Sequence, residues 1–572
     1  MPLRLINVLL FMVVFQSFAT AQVLSSSKIA NNIQEYLSSK VDKKNQDIAS
    51  YIYSNREFTP IWINSNSKIT QITNLLKNIR YNYKDKPFDR NDIIRYLYTL
   101  DNENINNNLK VKIYALLDLK ITNSVISLIK FVSKGDVDWQ LVRKKLKLLK
   151  DEHDINAVWE IKDKAMPSKE SISRAISNNN LQSYLESLIS LEDRYTNLIK
   201  LLREYNNKEY EKVSYGSKLK LGMRDGRIYK IKKILKSIGD LDPKASMGNN
   251  FDQQLKDAII SYQERYNLKS DGVIDRTTTY YLNQPMDKLT RAIIVNLDKT
   301  KIYPRRFEKE YVEVNLPDFQ LRHYKNKKIV FQMPVVIGKI SRPTPIFDDK
   351  IKYMVLNPTW TIPDNLIKRD LIYMLKRNPN YLEEHNIYVN GNFGAKKLNM
   401  EKLFTYENSS KRVPYSFVQH SGDTNALGRI KFMFPNRYDV YIHDTDNKSL
   451  LDRRYKIYSS GCMRVKNPFG LMKTLMNGYS QSKIDKIIAT NKPTTVSLKK
   501  SIPVHMTYFT VYTENGKAYF KNDIYMYDKI IEESTQGSKK DYFTIPKTRL
   551  IRVDDNGRRS KYNPEEKNKD GH

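Results

Sequence analysis

The chain is 572 residues long, 40% hydrophobic and 11% aromatic, with 28% charged residues and a formal charge of +34. That much apolar material excludes a wholly disordered chain, and 19 Gly with 21 Pro excludes a collagen-like or Pro/Gly low-complexity architecture. The single cysteine, Cys462, excludes an intrachain disulfide and a zinc site built on paired cysteines.

Residues 1–21 read as a secretory leader. Arg4 supplies the positive start, Leu5 to Phe18 is a mostly apolar run, and Ala19-Thr20-Ala21 offers the small residues a signal peptidase needs. The run is shorter than the roughly 20 apolar residues of a membrane span, and no later segment approaches that length. The expectation is a mature chain outside the cytoplasmic membrane, with no transmembrane segment after cleavage. In that setting a lone cysteine is either a buried inert thiol or a reactive one. The Lys and Arg are scattered, so nucleic acid is not expected as a partner; a basic surface facing an anionic cell envelope is the simpler account.

From 22 to 212 the pattern is helical, with Leu185, Leu188, Tyr195, Leu198, Leu202 and Tyr205 at helical spacing. Asn104 to Asn108 and Asn178-Asn179-Asn180 read as connections. A supporting role is all this region predicts.

A compact module is expected over 213–285. Ile228, Ile231, Leu235 and Ile238 line one helical face, and Leu255, Ala258, Ile259, Tyr262 and Tyr266 line another. Asp271-Gly272 reads as a turn and Asp275 as the N-cap of a third helix to Leu282. A generic three-helix bundle has the same faces. The order Leu221-Gly222, Phe251, Ala258, Tyr262-Gln263, Leu268, Asp271-Gly272-Val273-Ile274-Asp275, Thr279 and Leu282 resembles the peptidoglycan-binding type 1 domain. The resemblance implies a cell-wall ligand.

Over 309–533 the period switches to two. Val312, Val314 and Leu316 alternate with polar residues, and Asn326-Lys327-Lys328 marks a turn before a strand over 329–337. Further strands are predicted at 351–356, 439–443 and 503–512. The irregular, partly helical stretch 361–425 reads as an inserted cap or lid, and 534–572 as a basic disordered tail. The predicted class is therefore multidomain α+β: a helical N-terminal scaffold, a small three-helix module and a β-rich domain with a cap.

Chemistry concentrates in Tyr441-Ile442-His443-Asp444-Thr445 and Ser459-Ser460-Gly461-Cys462-Met463-Arg464-Val465. Strand alternation puts Val440 and Ile442 on one face and His443 on the other. A thiol attacks a carbonyl as thiolate and needs a nearby base, and of seven histidines His443 is the one at a strand end shortly before the cysteine loop. Backbone N–H groups freed by the Ser-Ser-Gly turn would stabilise an oxyanion. Taken alone, these residues leave an inert buried cysteine and a Cys–His nucleophile both open.

His443, the fifteen-residue spacing and Ser459-Ser460-Gly461-Cys462-Met463-Arg464 resemble the catalytic motif of the YkuD-type L,D-transpeptidases. The widespread small members carry His at the position of Ser460; here the sequence follows the large, scaffold-bearing YcbB-like branch. Ile337-Gly338-Lys339, Arg342-Pro343-Thr344-Pro345, Asn357-Pro358-Thr359-Trp360, Asn425-Ala426-Leu427-Gly428-Arg429-Ile430-Lys431-Phe432 and Phe434-Pro435-Asn436 agree with that branch, and Ile48 to Ile63 more faintly.

The resemblance implies Cys462 as nucleophile, His443 as proton donor and acceptor, the Asp444 backbone carbonyl as its orienting group, and the N–H groups of Gly461 and Cys462 as oxyanion hole. Ser460 is expected to shape the loop. Arg464 is open to two readings, a holder of a substrate carboxylate or a structural cation. No metal and no cofactor is expected, and His420 and His505 are read as ordinary polar residues. The implied activity is 3→3 crosslinking of peptidoglycan stem peptides through a cysteine thioester with release of D-Ala, in a periplasm, with carbapenems acylating the same thiol. The same thiol would also serve an L,D-carboxypeptidase, a D-amino-acid exchange enzyme or an enzyme attaching envelope proteins to peptidoglycan. A non-catalytic wall-binding scaffold is the remaining alternative.

Overall fold

The computed structural model describes residues 26–101, 104–208, 211–476 and 480–535, and two short strands beyond. The leader expected at 1–21 lies outside the described residues. Of the tail, Ile551–Val553 and Arg559–Lys561 pair antiparallel, and the remainder after 535 lies outside as well.

Among the described residues, nine helices build the N-terminal region: α1 (Ser26–Lys40), α2 (Gln46–Ser54), α3 (Asn66–Lys77), α4 (Arg90–Leu100), α5 (Asn107–Lys134), α6 (Trp139–His153), α7 (Lys169–Ser177), α8 (Leu181–Leu188) and α9 (Glu192–Asn206). The long α5 is buried nearly all round along its middle, as a central core helix must be. Its buried Asp118 is satisfied locally: it accepts from Tyr53 Oη at 2.6 Å and from the backbone N–H groups of Ile61 and Trp62. Trp62 Nε1 donates to Thr122 at 2.9 Å on the next turn.

The module follows as α10 (Arg227–Ser237), α11 (Gln253–Arg265) and α12 (Arg276–Leu282). Asp275 caps α12 by accepting from Thr278 N at 2.7 Å, and Asp252 caps α11 through Leu255 N at 2.8 Å. Gly272 sits at φ +70° and donates its N–H to Gln263, a turn conformation that disfavours any side chain. Helix α13 (Met286–Thr300) leads into the β-rich domain.

That domain carries β1 (Glu310–Asn315), β2 (Gln320–Lys325), β3 (Lys328–Gly338), β4 (Asp348–Leu356), β5 (Trp360–Thr361), β6 (Ile387–Val389), β7 (Asn392–Phe393), β8 (Phe417–Gln419), β9 (Ile430–Met433), β10 (Ile442–His443), β11 (Ile457–Ser459), β12 (Met463–Val465), β13 (Thr494–Thr507), β14 (Val511–Glu514) and β15 (Lys517–Phe520). The main sheet runs β11-β3-β12-β10-β9-β4-β13-β1-β2 and closes on itself because β2 also pairs β3. Asn326 and Lys327, both at positive φ, form the β2–β3 turn. The strand expected over 503–512 instead starts at Thr494, shifts register between Ser497 and Ile502, and gives way to the separate hairpin β14–β15. The polar Ser497 to Ser501 run conceals that continuity in the sequence.

Two features tie the regions together. Val142, Leu146, Leu149, Ile155, Trp159 and Ile161, from the helical region, pack into the β-domain core. In return Val511, Ala518 and Phe520 of β14–β15 join the core shared by the scaffold and the three-helix module. The insert has a core of its own, centred on Ile362, Ile372, Leu382, Leu403 and Phe417, and a small sheet ordered β5-β8-β6-β7. It is a separate folded cap rather than a loop.

Candidate active site

Strands β10 and β12 run parallel, with Ile442 opposite Met463 and His443 opposite Arg464. Ile442 and Met463 are fully buried in the domain core. Side chains alternate across a strand, so Tyr441, His443, Cys462 and Arg464 share the other face. Antiparallel pairing with β9 places Lys431 opposite His443 on that same face. His443 is 3% exposed and Cys462 is half-buried. The structure therefore brings the two residues singled out by the sequence onto adjacent strands, one residue pair apart.

The resting charge state follows from burial. Desolvation, with Arg464, Lys431 and Lys448 nearby, pushes the His443 imidazole down to about 3; the Asp444 carbonyl works in the opposite direction. His443 Nδ1 is buried and meets no partner at hydrogen-bonding geometry, so that carbonyl is near the ring without gripping it. Burial pushes the Cys462 thiol up to about 11, against smaller downward pulls from Tyr441 and Arg464. Sγ lies 3.9 Å from the Asp439 carbonyl oxygen. Burial thus disfavours the charged form of both groups.

The nucleophile loop is held by hydroxyls. Ser459 Oγ donates to the Cys462 carbonyl at 2.6 Å and accepts from Gly461 N at 3.1 Å. The Gly461 N–H, expected at the oxyanion, is thus occupied by Ser459 in this conformation. Gly461 has φ +123°, a conformation only glycine adopts readily. Thr344 Oγ1 donates to the Gly461 carbonyl at 2.8 Å and accepts from Gly338 N at 2.9 Å, while Tyr525 Oη donates to the Gly338 carbonyl at 2.7 Å. A Cβ on Gly338 would overlap the backbone of Arg342 and sit 2.6 Å from Thr344 N, which explains why glycine stands there.

Other expected site residues fall around this loop. The Asp444 carboxylate accepts from Arg429 N at 2.9 Å and pairs with Lys448, so its side chain organises the β9 approach rather than the imidazole. Ser460 Oγ accepts from Arg342 Nη1 at 2.7 Å, and Arg342 also reaches Asp370 of the cap at 3.1 Å. Arg464 has a buried Nε without a hydrogen-bond partner.

Sequence reasoning missed three contributors. Tyr441 packs its ring 5.5 Å from that of His443, and its hydroxyl lies in the surroundings of Cys462 and Trp360. Thr344 and Tyr525 clamp the loop from distant segments. Tyr441 was findable, since it lies two residues before His443 and so on the same strand face; Tyr525 carries no local signal. His505 departs from the expectation of an ordinary polar residue. It is buried between Asp348 Oδ1 at 2.7 Å and Glu308 Oε2 at 3.0 Å, and these carboxylates raise it to about 9.

A lone thiol and an imidazole on one sheet face make a Cys–His arrangement of the kind used for acyl transfer. Residues 309–484 match the YkuD family, described as the L,D-transpeptidase catalytic domain, residues 48–202 match the scaffold domain, and residues 224–282 match the family "Putative peptidoglycan binding domain". The chain carries an L,D-transpeptidase catalytic domain joined to a scaffold domain and a peptidoglycan-binding domain. A relative from Haemophilus influenzae, described as "Putative L,D-transpeptidase", is 31% identical over 245 residues, covering 42% of this chain and 49% of the relative. The chain thus spans about half the length of that relative. Solved L,D-transpeptidases from Xylanimonas cellulosilytica and Stackebrandtia nassauensis are each 12% identical over 52% of this chain, covering 100% and 97% of theirs, with TM-scores of 0.19 and 0.20. Overlaps at that level carry no weight for this chain. No helix among the described residues is long and apolar enough to cross a membrane.

Proposed function

We propose that this protein is an L,D-transpeptidase that forms 3→3 crosslinks between peptidoglycan stem peptides through a thioester on Cys462, in the periplasm and attached to the wall. The observation that carries the reading is the placement of Cys462 and His443 on one face of adjacent strands, within a segment matching that catalytic domain. The peptidoglycan-binding domain supports the wall as partner.

Sγ attacks the carbonyl carbon of the third stem residue, and the thiol proton passes to His443. The S–C bond forms, the C–N bond to D-Ala breaks, and His443 returns the proton to the leaving amine. An amine of a second stem then attacks the thioester, giving its proton to His443 and restoring the thiol. Burial disfavours the charged form of both the imidazole and the thiol, which favours proton transfer in concert with attack. Charge on the tetrahedral oxygen falls to the Cys462 N–H and to Gly461 once its N–H leaves Ser459. A cap closed over the stems would exclude water and favour an amine acceptor.

Water, a free D-amino acid or a lysine of an envelope protein would use the same first half-reaction. Muropeptide analysis with purified tetrapeptide dimers separates these acceptors. Crosslinked product is expected; tripeptide alone, exchanged product alone or unchanged substrate would each overturn the crosslinking assignment.

A further inference from the structure

A groove over β1 and β2 takes no part in the acyl-transfer chemistry. One hollow of about 1170 Å³ lies between the first turn of α9, the segment 305–309, the β2–β3 turn and the start of the β14–β15 hairpin. Its floor is the outward face of the sheet, where Tyr311 stacks on Tyr324 with ring centroids 4.7 Å apart and Glu313 lies opposite Arg322. A second hollow of about 860 Å³ separates the three-helix module from the same strands, with Gln263, Asn267, Asp271 and Asp275 on one wall and Gln320 and Arg454 on the other. Arg322, Gln332, Tyr512 and Glu514 line both hollows, which therefore form one groove from the scaffold across the sheet to the module. Arg306 at one end and Lys269 at the other are exposed, as in a groove open at both ends.

The lining narrows the ligand. Its charges are largely spent on one another: Arg194 pairs with Glu313 at 2.9 Å, Lys327 with Asp193 at 2.7 Å and Arg322 with Glu514 at 2.9 Å. Arg305 and Arg306 share Glu192, while Lys309 and Lys328 stand exposed at the rim. A strongly charged polymer would have to break these pairs to gain new ones. An extended peptide is disfavoured for a different reason. Both β1 and β2 are paired on each side, so the floor offers no free edge for strand addition. What the groove does present is half-buried tyrosine rings and the amides of Asn197, Gln320, Gln332 and Asn515, none of which makes a side-chain hydrogen bond with a described residue. Such rings suit the apolar face of a sugar, and amides both donate to and accept from hydroxyl and acetamido groups.

We propose that this groove binds a neutral, acetamido-bearing polysaccharide, the glycan strand of the wall, along scaffold, sheet and module together. Naming the wall glycan rests on the proposed transpeptidase reading, while affinity for a neutral polysaccharide is a property of the groove alone. Gln332 shares a strand face with Val336, which lies opposite Arg464, and four residues along a strand span about 13 Å. A strand held in the groove keeps its stems near the thiol, so stems carried on glycan are better substrates than free stem peptides.

The test is calorimetric titration of the full chain with chitohexaose, a neutral acetamido oligosaccharide, and with hexagalacturonate, an anionic one. Chitohexaose is expected to bind at least about tenfold more tightly, and its affinity to change less than about twofold between about 0.05 and 0.3 M salt. Tyr324→Ala removes a ring and Gln332→Trp fills the channel; each, with native circular dichroism, should weaken binding about tenfold, and Tyr324→Phe should retain it. Absence of chitohexaose binding, tighter binding of the anionic oligomer, or an affinity unmoved by both variants overturns the groove. In parallel, kcat/KM is compared for tetrapeptide stems on soluble uncrosslinked glycan strands and for the free tetrapeptide. The ratio is expected to favour glycan-linked stems in wild type and to fall about tenfold in Gln332→Trp. Equal kcat/KM for the two in wild type refutes the substrate preference while leaving the transpeptidase reading intact. Turnover of neither refutes that reading, and the titration still decides whether the groove binds sugar.

Discussion

At the scale of single residues, the site is shaped by desolvation. His443 is buried among cations and Cys462 is desolvated, so burial disfavours the charged form of each. The pH dependence of alkylation checks this directly. With iodoacetamide, the rate at Cys462 is expected to rise steadily towards alkaline pH, following a thiol near 11, with no plateau between pH 5 and 8. A neutral-pH plateau would reveal a thiolate–imidazolium pair and contradict the resting state. Much of this site was legible in the sequence, because the chemistry needs a cysteine, a histidine and a glycine close together along two strand segments. The partners that hold the loop were not. Thr344 and Arg342 reach it across 117 and 118 residues, with Tyr525 supporting Gly338 behind them, and no periodicity announces a hydroxyl that must meet one backbone carbonyl. Ser459, inside the motif, takes up the Gly461 N–H, a competition that spacing alone does not reveal.

At the scale of elements, the sheet is fixed as much by buried ion pairs as by apolar alternation. Val312 and Val314 face the core as their spacing predicts, yet Glu313 and Asn315 between them are buried too, because a helix covers the other face. Glu313 is held by Arg194 of α9 at 2.9 Å and by Thr507 of β13 at 2.8 Å. His505 on β13 joins Asp348 on β4 to Glu308 before β1 and stacks on Phe307 at 3.9 Å. Its pKa is raised from the ordinary 6.5 to about 9, so the folded state holds a proton that the unfolded chain releases earlier. The stabilisation is therefore complete below about pH 6.5 and is lost as pH climbs through 9. His505→Gln is expected to cost about 2 kcal/mol at pH 6 by denaturant unfolding, with the gap closing above pH 9. A gap that does not change with pH would mean packing alone accounts for it. The strand periods carried the outline of these elements; the two-residue β10 and the bulged β13 were shortened or hidden because neighbouring strands, not local pattern, set their ends.

At the scale of the whole molecule, the three-helix module and the catalytic domain are coupled through β14–β15. Tyr266 stacks on Phe520 with centroids 5.4 Å apart, Lys521 donates to the Glu264 carbonyl at 3.0 Å, and Arg265 is buried between Asp240 and the Ala518 carbonyl. Asp240→Ala would leave that guanidinium buried without its carboxylate, an expected loss of about 3–5 kcal/mol in equilibrium unfolding. A loss under about 1 kcal/mol would show that the junction is loose. The composition and the change from helical to alternating period marked the regions, but the hairpin exchanged between their cores could not be read, since Val511, Ala518 and Phe520 look like any other strand residues. The full chain should therefore be used when the chemistry is tested. Incubated with a synthetic tetrapeptide stem and quenched in acid, it is expected to show, by intact mass, one tripeptidyl adduct on Cys462 with equimolar D-Ala released, both absent in Cys462→Ala. Release of D-Ala by Cys462→Ala at the wild-type rate, or turnover of the stem by wild type with no adduct trapped at any quench time, would contradict a thioester pathway through this cysteine.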